Sequence, residues 1–401
     1  MSRSQQTITE YLSQYGFRDA STDTLPSSDS CEPVYIAGGK KYMLRRIIAE
    51  GGMGIIYEAE EIDCRRIVAL KVLPLKLSVP TEDVLRFIAE AQITSQLEHP
   101  NIVPIHELGM DSHGRVFYTM KYIRGRTLAS VLIEIRKGDR ETIEQYPLSR
   151  LLNAFQKVGD AVAFAHARKV IHRDIKPDNV MLGDYGEVVL MDWGLAIHAG
   201  ALEELVARSG STPTDRLTEI STIREEAGCA RIKTLNDQVL GSPGFMAPEQ
   251  IDHRSAVTAR SDIYGLGAIL YCILTLRPTV TGENIVNVLK KIITGDFPPP
   301  AYFNEPQHRK EEGLSESGEA AFPHCPDGII PDILSDIAMK ALATESEDRY
   351  PVVKDLQEEI EVYQSGLVWK PVIDEDFTQP DIEKRWDIVG GNWEMRDGTL
   401  V

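Results

Sequence analysis

Between Lys41 and Ile123 the chain is cut into short β-rich runs, YMLRRIIAE, GIIYEAEE, RRIVALKVL and RVFYTMKYI, separated by glycine and charged clusters. Such runs predict an antiparallel sheet with hairpin turns. One helix interrupts them. Pro80 and Thr81 precede the first-turn acids Glu82 and Asp83, and Val84, Leu85, Ile88, Ala91 and Leu97 recur at roughly helical spacing. Beyond Ile123 the rhythm is helical. LLNAFQKVGDAVAFAHARK carries Leu152, Phe155, Val158, Val162 and Ala165 on one stripe, and IYGLGAILYCILTL (263 to 276) is apolar nearly all round, as a helix at the centre of a lobe is. The expectation is an α+β chain with a small β-rich lobe over 41–123 and a larger helical lobe over 124–365. A cleft between two such lobes is a favoured ligand site.

The flanks differ. Residues 1–40 are rich in Ser, Thr, Asp and Gln and read as a mobile polar leader. Two polar stretches, about 199–238 and about 298–326, are longer than ordinary connections and read as insertions. The segment 366–401 holds Trp369, Trp386 and Trp393, which disordered tails rarely do, and is too short to bury a core of its own. That run is similar to the first strands of concanavalin-like or laminin-G-like β-sandwich modules.

Composition removes several classes of function. A formal charge of −18 over 401 residues argues against a nucleic-acid surface, which needs a basic face. Basic or neutral partners fit better. Five cysteines, Cys31, Cys64, Cys229, Cys272 and Cys325, are scattered without a CxxC pair, so neither a disulfide framework nor a zinc site is indicated. The N-terminus MSRSQQTITEYLSQYG lacks a signal-peptide core, and the longest apolar run is too short to span a bilayer. A cytoplasmic chain without a membrane span is expected.

Four stretches carry chemistry. AEGGMGIIY (49 to 57) sets Gly51, Gly52 and Gly54 between two strand-like runs, where the missing Cβ lets backbone N–H groups approach phosphate oxygens. An ordinary hairpin turn explains these glycines equally well. Lys71 follows in the apolar run VALK; a buried lysine needs an anion, and Glu90 in the expected helix is the natural candidate. VIHRDIKPDNVML (170 to 182) then places Asp174, Lys176 and Asn179 in one loop: a carboxylate to receive a proton, a cation for developing phosphate charge, and an amide oxygen for a metal ion. In VVLMDWG, Asp192 is either a metal-holding carboxylate or the polar end of a buried strand. The stretch alone leaves both open.

At the 170–182 loop the chain resembles the eukaryotic-type protein kinases. His172, Arg173, Asp174 and Asn179 match the family's His-Arg-Asp with Asn five residues after the Asp. Asp192 occupies the place of the Asp in Asp-Phe-Gly, and Ala247, Pro248 and Glu249 match Ala-Pro-Glu. Asp262 falls where the family has an acid bracing the catalytic loop, and Arg349 where it has an arginine paired with that Glu. The resemblance covers about residues 42 to 363, and Lys176 with GSPGFMAPE looks like the serine/threonine branch. It implies a two-lobed protein kinase fold and transfer of the γ-phosphoryl of ATP to serine or threonine hydroxyls of protein partners. Asp174 would orient and deprotonate the hydroxyl, and Lys176 would stabilise the transferring group. Lys71 would hold the α and β phosphates, positioned by Glu90, while Asn179 and Asp192 would bind Mg2+. The nucleotide would lie against Ile48, Ala49, Glu50, Gly51, Gly52, Met53, Gly54, Ile55 and Ile56, against Ala69, and against Met120, Lys121, Tyr122 and Ile123. The rival is a pseudokinase scaffold that binds without turnover; the complete residue set favours catalysis. Aminoglycoside and choline phosphotransferases share related loops but lack the Ala-Pro-Glu segment.

The chain departs from the family at three points. Ala49 replaces the first loop glycine, which predicts weaker ATP binding at worst. Trp193 replaces the Phe of Asp-Phe-Gly, bringing an N–H that wants a partner when buried. Lys121 stands where many members have Glu. The family also implies control through Arg173, which receives a phosphorylated residue of the activation segment. Thr234, just before GSPGFMAPE, is the expected site, and Ser242 resembles the family's Thr that contacts the catalytic Asp and Lys.

Overall fold

The computed structural model describes residues 33–36, 39–51, 54–73, 81–111, 114–198, 243–252, 256–282, 284–311, 322–366, 395–396 and 399–400. Its first part is a six-stranded antiparallel sheet of β1 (Pro33–Ile36), β2 (Gly39–Gly51), β3 (Gly54–Glu61), β4 (Arg66–Val72), β5 (Ile105–Met110) and β6 (Val116–Lys121), in the order β1-β2-β3-β4-β6-β5. Helix α1 (Thr81–Gln96) lies on one face. The pleat sorts β4 between two cores, because successive side chains point to opposite sides. Val68, Leu70 and Val72 join Tyr42, Leu44, Tyr57 and Phe117 on the far face. Ala69 joins Val84, Leu85, Ile88 and Ala91 of α1, with Tyr118 and Met120 of β6. Lys71 shares the face of Ala69, which aims an ammonium group at the helix.

The helical part opens with β7 (Gly125–Thr127) and α2 (Leu128–Arg136), whose first turn is capped by Thr127 Oγ1 accepting from the Ser130 N–H. Helices α3 (Arg140–Gln145) and α4 (Leu148–Ala167) follow, and all five residues of the expected stripe in α4 are buried. The short strands β8 (Val170–Ile171), β9 (Val180–Gly183), β10 (Val188–Leu190) and β11 (Ile197–His198) frame the loop that carries the chemistry; β9 pairs with β7 and β10, and β8 pairs with β11. After α5 (Pro248–Asp252) comes α6 (Ala259–Thr275), buried along nearly its whole length and started by a capping box of Thr258 and Ser261. It packs on α4 and on α9, and the remaining α-helices among the described residues are α7 (Ile285–Thr294), α8 (Pro306–Glu311), α9 (Asp332–Ala341) and α10 (Val353–Gln364).

The two lobes are stitched where residues 101–103 run beside β10. Leu190 N–H donates to Asn101 O at 2.8 Å and Asn101 Nδ2 to Val188 O at 2.8 Å. No helix among the described residues is long and apolar enough to cross a membrane. The chain divides into two units, Met1–Ile360 and Glu361–Val401; in the second, β12 (Met395–Arg396) and β13 (Thr399–Leu400) pair antiparallel.

One stretch differs from its sequence reading, and another, read as an insertion, is seen in part. The sheet begins inside the expected leader, since Pro33–Ile36 pairs with β2. The described parts of 298–326 are folded onto the helical lobe: Phe303 and Phe322 are buried, and Asn304 exchanges hydrogen bonds of 2.9 Å with the backbone of Ile330. Within the stretch Tyr302 stacks on His308 with ring centroids 3.7 Å apart. Residues 199–238 and the three tail tryptophans lie outside the described residues.

Candidate active site

A cleft of about 1220 Å³ lies between the sheet and the helical part. Its roof is the β2–β3 hairpin, in which Gly51 pairs with Gly54. Gly54 has φ 139°, and a Cβ there would sit 2.5 Å from Val72 O, so only glycine fits. Gly52 and Met53 lie outside the described residues. Every other residue expected around a nucleotide, Ile48 to Gly51, Gly54 to Ile56, Ala69, Lys71 and Met120 to Ile123, lines this one cleft, as do Glu90, Asn179 and Asp192.

On the sheet side Lys71 Nζ donates to Glu90 Oε1 at 2.7 Å, and both side chains are buried. Tyr118 OH donates to the same oxygen at 2.6 Å. Burial pushes the Glu90 carboxyl above its ordinary value, and Lys71 counteracts this only in part.

On the other wall the loop between β8 and β9 is held from behind. Asp262, in the first turn of α6, accepts the backbone N–H groups of His172 and Arg173 at 2.8 Å each, and His166 Nε2 lies 2.8 Å from its Oδ2. Burial works to raise the Asp262 pKa. The hydrogen bond from His166, the charges of His166 and His172 and the Arg173 N–H outweigh it, so the group stays a carboxylate. Arg173 takes a left-handed φ of 68° under this double grip. Within the loop Lys176 Nζ donates to Asp174 Oδ2 at 2.7 Å, and Asn179 Nδ2 donates to Asp174 O at 2.8 Å and Oδ2 at 3.1 Å. The three residues are thus one bonded cluster, as their spacing suggested.

Asp192 follows β10 with φ 60° and is exposed to the cleft, and the preceding Met191 N–H donates to Asn179 O at 2.8 Å. Trp193 turns the other way. It is fully buried, with its ring centroid 4.4 Å from that of His172. The expected partner for its indole N–H is not found among the described residues. Trp193→Phe should therefore fold and remain active, because the lost ring volume is offset by removing an unsatisfied donor; the two effects are each about 1–3 kcal/mol. Thermal unfolding and a transfer assay check this, and near-total loss of activity in the folded variant would show a specific role for the indole.

Further partners were invisible in the sequence. Gln250 Nε2 donates to Arg173 O at 2.9 Å while its Oε1 accepts from Ala247 N–H at 3.0 Å, tying the Ala-Pro-Glu segment to the loop. Glu249, by contrast, accepts two bonds, at 2.7 and 2.8 Å, from Arg349, the arginine that the resemblance sets against it, and one from Ser261, which the sequence did not suggest. Lys121 pairs with Glu187 at the mouth of the cleft. Thr234 and Ser242 lie outside the described residues.

A glycine-roofed cleft, a buried lysine–carboxylate pair and an Asp-Lys-Asn loop are parts that recur in phosphoryl-transfer sites. The protein kinase domain model matches residues 42–317, and the chain belongs to that family. It is 34% identical over 342 residues to serine/threonine-protein kinase PknD of Chlamydia caviae, covering 83% of this chain and 32% of the relative. PknD of Chlamydia trachomatis serovar D is 33% identical over 334 residues, with 82% and 32% covered, and PknD of Chlamydia pneumoniae 32% identical over 330, with 82% and 31% covered. The chain spans about a third of the length of these relatives.

Proposed function

We propose that the chain transfers the γ-phosphoryl group of ATP to serine or threonine hydroxyls of proteins. The observation that carries this reading is the bonded cluster of Asp174, Lys176 and Asn179, in which Asn179 lines the same cleft as the Lys71–Glu90 pair. Asp174 receives the hydroxyl proton and orients the oxygen for attack on phosphorus; Lys176, already on Asp174 Oδ2, meets the charge of the transferring group. Lys71 holds the α and β phosphates. The residues also fit magnesium: Asn179 commits its amide donors to Asp174, which leaves Oδ1 as an acceptor, and Asp192 is exposed to the same cleft. Two protein oxygens suit an ion that keeps waters and binds substrate phosphates. When bound, magnesium neutralises charge on the β and γ phosphates.

Transfer to serine or threonine is supported by relatives whose names carry that specificity, and the free thiols Cys64, Cys272 and Cys325 suit a reducing cytoplasm. The test uses the full chain with γ-labelled ATP, Mg2+ and peptides that differ only in Ser, Thr or Tyr at one position. Label is expected on Ser and Thr. Label confined to Tyr, or tight nucleotide binding with no transfer to peptide or to the chain itself, would replace this reading with a tyrosine kinase or a pseudokinase scaffold.

A further inference from the structure

We propose that Tyr118 is a positioning residue for phosphoryl transfer, holding Glu90 in place so that Lys71 stays at the phosphates; this rests on the roles given above to Lys71 and Glu90. Tyr118 lies directly opposite Lys71 in the β4–β6 ladder, so both side chains leave the sheet on the face that α1 covers. Its hydroxyl and the Lys71 ammonium converge on one oxygen, Glu90 Oε1, at 2.6 and 2.7 Å. The ammonium also sits 5.5 Å from the centre of the Tyr118 ring and 5.8 Å from that of Phe87, and the two rings pack with centroids 5.0 Å apart. Lysine, carboxylate and phenol therefore form one buried group bridging the sheet and the helix.

The phenol differs from the lysine in what it does when nucleotide arrives. An ammonium shared with phosphate oxygens has less to give Glu90, whereas the phenol has no phosphate to turn to. Its pKa is raised well above the ordinary value, by burial first and then by the Glu90 charge, so it remains a donor throughout the working range. It is carried by a strand paired on both sides and has only two side-chain torsions, so its hydroxyl is fixed at little entropic cost. Glu90 Oε2 is buried and has no partner among the described residues. The tyrosine thus supplies one of two donors on the only satisfied oxygen of that carboxylate.

Tyr118→Phe keeps the ring and removes only the hydroxyl. The expected result is a folded protein whose kcat falls about tenfold, as for loss of one hydrogen bond to a charged group, with KM for ATP nearly unchanged. In a Glu90→Gln background, followed by radiolabel to reach slow turnover, the same substitution should cost much less. Full activity in Tyr118→Phe, a rise in KM alone, or an equal loss in both backgrounds would each overturn the proposal. If Tyr118→Phe does not fold, Tyr118→Met takes its place and the same outcomes decide. Full activity in both Lys71→Met and Glu90→Gln would instead overturn the underlying roles, a result separate from any seen at Tyr118.

Discussion

Asp174→Asn is expected to lower kcat by about 10²- to 10⁴-fold, the range for loss of a positioned general base. Asparagine keeps the shape of the side chain and can still accept from Asn179 Nδ2, so the loop should keep its fold. It cannot take the hydroxyl proton, and it loses the ion pair with Lys176 that is present at 2.7 Å. If Asp174 acts on the acceptor, as proposed above, rather than on the nucleotide, KM for ATP should move little. Steady-state kinetics with labelled ATP separates the two parameters. Unchanged kcat in Asp174→Asn would remove the general-base role, and a rise in the ATP KM alone would relocate the residue to nucleotide binding.

The second large effect is on stability. Arg349 is completely enclosed, gives Glu249 a two-pronged bond, and also donates to the backbone oxygens of Ala343, Thr344 and Arg260. Arg349→Ala leaves a buried carboxylate and three carbonyls without their donor. A loss of about 3–5 kcal/mol is expected, seen as a fall of roughly 6–20 °C in Tm. The effect should depend on pH with a definite sign. Burial raises the Glu249 pKa, but the bonds and charge of Arg349 and the Ser261 hydroxyl more than reverse this, so it lies below its ordinary 4.5. The pair's contribution is therefore complete above that ordinary value and is lost as pH falls through the lower folded one. In Arg349→Ala the carboxyl is free to protonate earlier, so the gap in Tm between variant and parent should narrow on acidification. A gap that stays constant or widens would mean that packing, not the buried charge, sets the loss.

The loop chemistry was legible because it is local. His172 to Asn179 sit in one short segment, so spacing alone brings Asp174, Lys176 and Asn179 together, and the division of the chain near Ile123 follows from a change of period. Helix α4 was legible for the same reason, its stripe from Leu152 to Ala165 being a property of its own sequence. What could not be read depends on register between distant segments. Tyr118 meets Glu90 only because β6 pairs with β4 in a frame that sets residue 118 against residue 71. His166 meets Asp262 across 96 positions, and the indole of Trp193 rests on His172 rather than on a hydrogen-bond acceptor. How the described parts of 298–326 pack was not legible for another reason: their mean polarity hides Phe303 and Phe322, which are buried.

Arg173 and Asp192 both carry left-handed backbone, with φ of 68° and 60°. For an L-residue that conformation costs about 1–2 kcal/mol, and glycine is exempt. At these two places heat resistance and turnover thus make opposite demands on the gene. Glycine at either would relieve the backbone, yet at 192 it would delete the carboxylate facing the cleft and at 173 the guanidinium of the residue that precedes Asp174. A library of variants sorted only for survival on heating has a short path to a tougher, catalytically emptied descendant.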